Sequence, residues 1–404
     1  MHSITFALLK ERKNPPDRRA VLSPTSMLEA QEHFPKARFI VEASSIRIFP
    51  DVAYEKAEFD VVTDVSAADV MLGVKEVPVD ALIPDKKYFF FSHTIKKQPY
   101  NRDLLRAVLA KNIELYDHEV ITKASGLRLI GFGRYAGIVG AYNGFRALGK
   151  KHRSFDLPPA NSLTGIEALH AQLAKIELPA LKILLTGNGK VAGGAQEILD
   201  AMGIKKVSVS DYLTKSFKTA VYCKIGVTDY NRRKDGQKPN AKEFFADPSG
   251  YESDFMRFAK VTDYFIAGHF YGEGAPYLFT REDAKLPDFN IEVIADVSCD
   301  IDGPVASTLR ASTIEDPFYG YDAQSEREVA MDAPGAITVM AVDNLPCELP
   351  KDASEGFGQM FIEHVLPAFF NEDKDGILQR ARMTQNGKLT KRFSYLQDYV
   401  DGKE

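Results

Sequence analysis

The chain has 404 residues, 45% of them hydrophobic, and a formal net charge of −5. That is enough apolar material for two domain cores of ordinary size and excludes a disordered or fibrous chain. The charge gives no electrostatic footing for nucleic acid or an anionic membrane, so the expected partners are small molecules, with self-association possible. Cys223, Cys299 and Cys347 are far apart and form no CxxC pair, so neither a metal centre nor a disulfide framework is expected, and a reducing cytoplasm is the expected location. The opening MHSITFALLKERKN has too short an apolar run for a signal peptide, and no stretch approaches the roughly 18 apolar residues of a membrane span.

In chain order, residues 4–9 read as a strand, followed by the polar, proline-broken KERKNPPDRR. Ser23-Pro24 then marks a helix start, serine as cap and proline in the first turn. Short apolar runs recur at 38–41, 70–74, 88–91 and 113–116, with helix-length stretches such as 101–111 between them. That alternation argues for a parallel sheet covered by helices. Residues 136–148, AGIVGAYNGFRAL, are helical in pattern despite their glycines, and a domain crossover is placed at this point. A second strand-helix series follows, with strands expected at 182–186, 206–210, 264–267 and 291–297. Within it, residues 229–254 carry mixed charge, two prolines and two glycines, which reads as a solvated lid or surface excursion. The C-terminal RARMTQNGKLTKRFSYLQDYV reads as a solvated helix and a final packing segment.

The most specific local signal is LKILLTGNGKVAGGAQEILDAMG, an apolar strand, a tight glycine turn and an amphipathic helix. Gly187, Gly189 and Ala192 fit GxGxxG/A in the context that gives the motif meaning. Glycine lets a backbone approach a pyrophosphate, whose charge sits among the unpaired amides of the helix N-terminus. A dinucleotide is the expected ligand, against the alternative of a turn that serves packing alone. Asp211 ends the next expected strand, where an acid hydrogen-bonds the ribose hydroxyls and favours NAD over NADP. Lys215, a turn away, softens that choice, and an aspartate there also suits a helix cap.

Lys75 follows VMLGV and His93 follows YFFFS, so each stands at the carboxyl end of an expected parallel strand, where ligands bind. A lysine near apolar walls and other cations has its pKa lowered, and a histidine already titrates near neutrality, so the two suit proton transfer. The plainer reading is a solvated strand end for one and a turn cap for the other. Arg18, Arg19 and Arg128 add forks suited to carboxylates, with Glu119 to balance charge.

The ordered set LGVKEVP, FSHT, YDHE, GFGRYAG, then the glycine turn, ADVSCD and DNLPCELPKDASE resembles the lysine-forming saccharopine dehydrogenases and the lysine-ketoglutarate reductase half of bifunctional animal and plant enzymes. These belong to the alanine dehydrogenase/transhydrogenase superfamily. The resemblance runs from about Leu8 to Val365. It implies an α/β fold of two doubly wound Rossmann-like domains with a cleft between them, the first discontinuous: 1–137 with 340–404 for substrate and catalysis, and 138–339 for the dinucleotide. It implies Lys75 and His93 as the acid–base pair, and Arg19 and Arg128 as binders of substrate carboxylates. Lys96 and Glu119 become further charged groups at the site, and Asp296 a group near the nicotinamide. The implied reaction is the interconversion of saccharopine with lysine and 2-oxoglutarate on NAD, with NADP possible. The sequence carries one such unit, so a single activity rather than a bifunctional enzyme is expected. Alanine dehydrogenase and a non-catalytic nucleotide-binding subunit are the alternatives; a pure cofactor binder needs neither Lys75 nor His93.

Overall fold

In the computed structural model, which describes residues 3–403, the chain divides into two units. The first is Met1–Phe132 with Pro350–Glu404, and the second is Gly133–Leu349.

The sheet of the first unit comprises β1 (Ile4–Leu8), β2 (Ala37–Glu42), β3 (Asp60–Val62), β4 (Val70–Lys75), β5 (Lys87–Phe91) and β6 (Glu114–Asp117). The strands lie in the order β3-β2-β1-β4-β5-β6 and every neighbouring pair is parallel. β4 and β5 are continuous apolar runs because a central parallel strand is covered on both faces. The order reverses between β1 and β4, and in open α/β sheets the crevice beyond the strand ends at such a reversal is where ligands bind. Glu11 lies just past β1 and Lys75 ends β4, so this topology sets both there. Ser23 caps the helix Pro24–His33 by accepting from the Ser26 amide, as its sequence predicts. After the second unit the chain returns as the helix Pro350–His364, where Ser354 Oγ accepts from the Ala20 amide at 2.8 Å. The C-terminal stretch packs more than it solvates: Met383, Phe393, Leu396 and Tyr399 are buried with Met71, Phe90 and Leu115. It also protects the edge strand β6, since Thr384 Oγ1 accepts from the Leu115 amide and Met383 donates to the Leu115 carbonyl.

The second unit holds β7 (Lys182–Thr186), β8 (Lys205–Lys206), β9 (Val221–Ile225), β10 (Asn231–Arg233), β11 (Tyr251–Ser253), β12 (Tyr264–Ala267), β13 (Val293–Asp296), β14 (Phe318–Asp322), β15 (Arg327–Val329) and β16 (Ile337–Met340). Its main sheet runs β15-β14-β16-β13-β12-β7-β9-β8, parallel from β16 to β8, with β14 and β15 antiparallel at one edge. The order reverses between β7 and β12, so this unit has a switch point of its own.

Two expectations are corrected in this unit. The strand expected at 206–210 shrinks to Lys205–Lys206, because Ser208 accepts from the Asp211 amide and starts the short helix Val209–Thr214. The neighbour of β7 is instead β9, which alternation had not disclosed. Residues 229–254 are also more ordered than a solvated lid. β10 and β11 pair antiparallel, Asn240 caps the helix Ala241–Ala246, and Phe244, Tyr251 and Ala275 form a small apolar cluster.

The helix Gly133–His152 crosses the helix Lys190–Ala201 at backbone contact, which explains glycines inside both. A Cβ on Gly137 would run into the Val191 carbonyl oxygen, and one on Gly194 into that of Arg134. Among the described residues no helix is long and apolar enough to cross a membrane. Gly137→Ala is expected to destabilise by more than the roughly 1–3 kcal/mol of ordinary overpacking, because backbone blocks the space, and so to lower the thermal midpoint. Gly193→Ala, whose Cβ meets nothing within 4 Å, should leave the midpoint unchanged or raise it. Equal midpoints for the two variants in a thermal melt would refute the close crossing.

Candidate functional site

In the first unit the site grows from the ends of β1, β4, β5 and β6. Glu11 turns its carboxylate onto the last amides of β4, accepting from Val74 N at 2.7 Å and Lys75 N at 2.9 Å. Burial and the neighbouring Asp17 carboxylate push the Glu11 pKa up to about 7 against those two hydrogen bonds. Asp17 and Arg19 form a buried fork-to-fork pair, with Nε donating to Oδ1 at 3.0 Å and Nη2 to Oδ2 at 2.6 Å. Burial opposes ionisation of Asp17, but Arg19 and then Lys75 overcome it and hold its pKa at about 2. The Arg19 guanidinium lies 4.2 Å from the centroid of Phe132. Arg19 thus presents two of its donors to Asp17, where the sequence suggested a fork for a substrate carboxylate.

Lys75 pairs in register with Phe91 of β5, so Lys75 and His93 leave adjacent strand ends. His93 adopts φ +54°, a left-handed conformation uncommon for a residue with a side chain, which turns the chain sharply off β5. Asp117, buried at the end of β6, holds that turn: Oδ2 accepts from the Ser92 amide and hydroxyl, and Oδ1 from the Glu119 amide at 2.7 Å. Burial raises the pKa of Asp117. His118 Nε2 lies 3.0 Å from the Gly73 carbonyl oxygen, and burial holds this imidazole neutral with a pKa of about 3.

Glu119 gathers the cations. Its Oε2 is 3.4 Å from His93 Nδ1, and its Oε1 is 3.7 Å from Lys96 Nζ and 3.8 Å from Arg128 Nη1. Burial works against its charge, but His93, Lys96 and Arg128 outweigh it and lower the pKa to about 2. Arg128 is fixed by donating from Nε to the Ile130 carbonyl at 3.0 Å and by lying over Phe91. The structure therefore brings His93, Lys96, Glu119 and Arg128 into one cluster and sets Lys75 on the neighbouring strand end with Glu11, Asp17 and Arg19. Glu11, Asp17, Asp117 and His118 were not singled out from sequence. Asp117 and His118 lie inside the YDHE motif and Glu11 just past a strand, so position was the available signal.

In the second unit the glycine turn fits a dinucleotide. Gly187 has φ +102°, and a Cβ there would strike Gly268 at the end of β12. Gly189 caps the helix Lys190–Ala201, and a Cβ on it would meet nothing within 4 Å, which is the open approach a phosphate needs. Ala192 is buried where the helix meets Gly268. Asp211 stands differently from its expected place. It lies on the helix Val209–Thr214, 2.8 Å from Lys215 Nζ, and not at the end of the strand beside β7. The end of β9 carries Gly226, whose amide donates to Asp229. Asp296 ends β13 fully buried; Ser298 N, Ser298 Oγ and Cys299 N donate to its Oδ1, and Thr308 Oγ1 to its Oδ2, so both oxygens serve the turn after the strand. Burial raises its pKa.

Residues 7–139 match the alanine dehydrogenase/PNT N-terminal domain. Over 454 residues the chain is 29% identical to the mitochondrial alpha-aminoadipic semialdehyde synthase of Mus musculus, covering 100% of this chain and 48% of that protein. It is 26% identical to the NAD(+), L-lysine-forming saccharopine dehydrogenase of Candida glabrata, covering 96% of this chain and 100% of that one. The chain thus spans about half the length of the first of these relatives. Among solved structures an L-alanine dehydrogenase superposes with a TM-score of 0.65 at 16% identity, covering 98% of this chain and 99% of that one. The transhydrogenase of Sinorhizobium meliloti superposes with a TM-score of 0.54 at 17% identity, covering 96% of this chain and 98% of that one. Residues 7–139 thus match the alanine dehydrogenase/PNT N-terminal domain, and the chain shares its two-domain fold with L-alanine dehydrogenase and the transhydrogenase. Over nearly its whole length it is also similar in sequence to a saccharopine dehydrogenase.

Two outcomes follow from this geometry. Because the folded Glu11 pKa is raised from 4.5 to about 7, its linked stability is greatest below pH 4.5 and is lost as pH rises through 7. Glu11→Gln lacks this titration, so the difference in thermal midpoint between wild type and variant should move against wild type from pH 4.5 to 7.5; a constant difference would show that Glu11 does not titrate there. Asp211→Ala should leave the ratio of NADH to NADPH dissociation constants within about twofold of wild type, whereas a tenfold move toward NADPH, about 1.4 kcal/mol, would return Asp211 to the ribose.

Proposed function

We propose that the protein is a nicotinamide-dinucleotide-dependent oxidoreductase of amino acids that interconverts saccharopine with lysine and 2-oxoglutarate. The observation that carries this reading is the pair of adjacent strand ends bearing Lys75 and His93, with Arg128, Lys96 and Arg19 grouped around the buried Asp17 and the half-buried Glu119. A binding-only subunit needs no such pair, and a substrate with several carboxylates needs this many cations. The similarity in sequence to a saccharopine dehydrogenase supports the same assignment.

The reaction takes saccharopine, oxidised dinucleotide and water to lysine, 2-oxoglutarate, reduced dinucleotide and a proton. The dinucleotide, held by Gly187, Gly189 and Ala192, supplies the hydride acceptor when bound. Loss of hydride from the carbon bearing the secondary amine leaves an imine, water adds to it, and the carbon–nitrogen bond of the carbinolamine breaks. One of Lys75 and His93 takes the amine proton, and the other activates water and returns a proton to the departing amine. Glu119, anionic at neutral pH, holds His93 by charge and keeps Lys96 and Arg128 close enough to receive carboxylates. Positioning of this kind contributes on the order of 7 kcal/mol or more when the reacting atoms are well aligned. NAD was favoured on Asp211 alone, and with Asp211 on its helix the two cofactors enter the test as equals.

The test is the loss of absorbance of NADH or NADPH with 2-oxoglutarate and a panel of amines beginning with lysine. Oxidation with lysine is expected. Oxidation only with pyruvate and ammonium would make the protein an alanine dehydrogenase, and cofactor binding without turnover on any pair would leave a binding subunit.

A further inference from the structure

Thr186 and His269 occupy the switch point of the second unit, at the ends of β7 and β12, and neither was singled out from sequence. The Gly187 turn packs directly on this corner: a Cβ at Gly187 would meet Gly268 O and His269 Cα. His269 Nδ1 lies 2.9 Å from Thr186 Oγ1, while the same hydroxyl is 3.5 Å from the Ile266 carbonyl. Either the hydroxyl gives its proton to Nδ1 and the imidazole proton sits on Nε2, or Nδ1–H donates to the hydroxyl and the hydroxyl donates to the Ile266 carbonyl. Nε2 is buried without a hydrogen-bond partner, on a side chain only 7% exposed and packed edge-on against Tyr230. A buried polar atom left unsatisfied costs about 1–3 kcal/mol in either tautomer, and this one belongs to the residue whose backbone packs on the glycine turn.

We infer that His269 is a cofactor-binding residue, oriented by Thr186, whose Nε2 hydrogen-bonds the pyrophosphate–ribose part of the dinucleotide, donating to an oxygen in one tautomer and accepting from a ribose hydroxyl in the other. This rests on the dinucleotide reading above. The orphaned nitrogen is covered, so this contact requires the turn to give slightly as the ligand seats. Burial keeps the ring neutral, its pKa lowered to about 4, so the contact is a neutral hydrogen bond that persists across pH 6–8.

The experiment is calorimetric titration of the full chain with NADH and NADPH, on wild type, His269→Gln and His269→Asn, with thermal midpoints for all three. Glutamine reaches the Nε2 position and asparagine the Nδ1 position. His269→Gln is expected to bind within about threefold of wild type and His269→Asn at least tenfold more weakly. Equal affinity of all three, equal loss in both variants, or loss confined to His269→Gln would overturn the assignment, the last showing that the Thr186 bond is what matters. Should a variant fail to fold, 15N-histidine spectra of wild type decide: the His269 Nε2 resonance must move when the dinucleotide is added, and an unmoved resonance in a protein that binds it overturns the contact. A wild type that binds neither cofactor removes the dinucleotide reading itself, and this contact with it.

Discussion

The first unit depends on a carboxylate bridging two diverging strands. β1 and β4 are neighbours where the sheet order reverses, and their pairing ends at Leu8 and Leu72, before the last amides of β4. Glu11 supplies the acceptors for Val74 and Lys75, so it fixes the backbone from which Lys75 projects. Buried backbone donors must find partners, and a side chain does so where the ladder ends. One step across the sheet Asp117 repeats the device, holding Ser92 and Glu119 and with them the left-handed turn at His93. Two titratable side chains are thus presented by strand ends that carboxylates hold from below.

Those carboxylates also set the charge of the site. Four acids lie within the same few turns, and their environments pull them apart: Asp17 and Glu119 are held ionised by cations, while burial drives Glu11 and Asp117 upward. Divergence of this kind is what separates groups that hold charge from groups that move protons. The second unit meets the same topological problem with glycine. Gly187 and Gly268 let β7, β12 and the following helix close to backbone contact, leaving helix amides rather than side chains to face an anion.

Much of this was legible in the sequence. β7 and β12 begin and end where their apolar runs do, and the Ser23 cap and the glycine turn are local signals that local structure obeys. Lys75 and His93 leave adjacent strand ends, as the apolar runs before them indicate. What stayed hidden was non-local. KKVSVSD alternates like a strand, yet Ser208 caps a helix there and β9 sits beside β7, which takes Asp211 off the end of the strand beside β7. Arg19 reads as a substrate fork, and sequence does not disclose that Asp17, two residues earlier, takes two of its donors. The resemblance sets Asp296 near the nicotinamide, and sequence does not disclose that Ser298, Cys299 and Thr308 donate to its oxygens. The order of residues 229–254 was masked by their charge, because only three residues, Phe244, Tyr251 and Ala275, make the cluster that holds them.

The pairing of Lys75 with His93 is tested most directly by the pH dependence of kcat/KM for saccharopine oxidation in wild type, Lys75→Met and His93→Gln. If the two share the proton transfers, wild type shows two ionisations and each variant, folded and saturable with cofactor, loses one of them along with roughly 10²–10⁴-fold in rate. Three superimposable profiles at undiminished rate would contradict the acid–base assignment and leave the strand ends with a binding role alone.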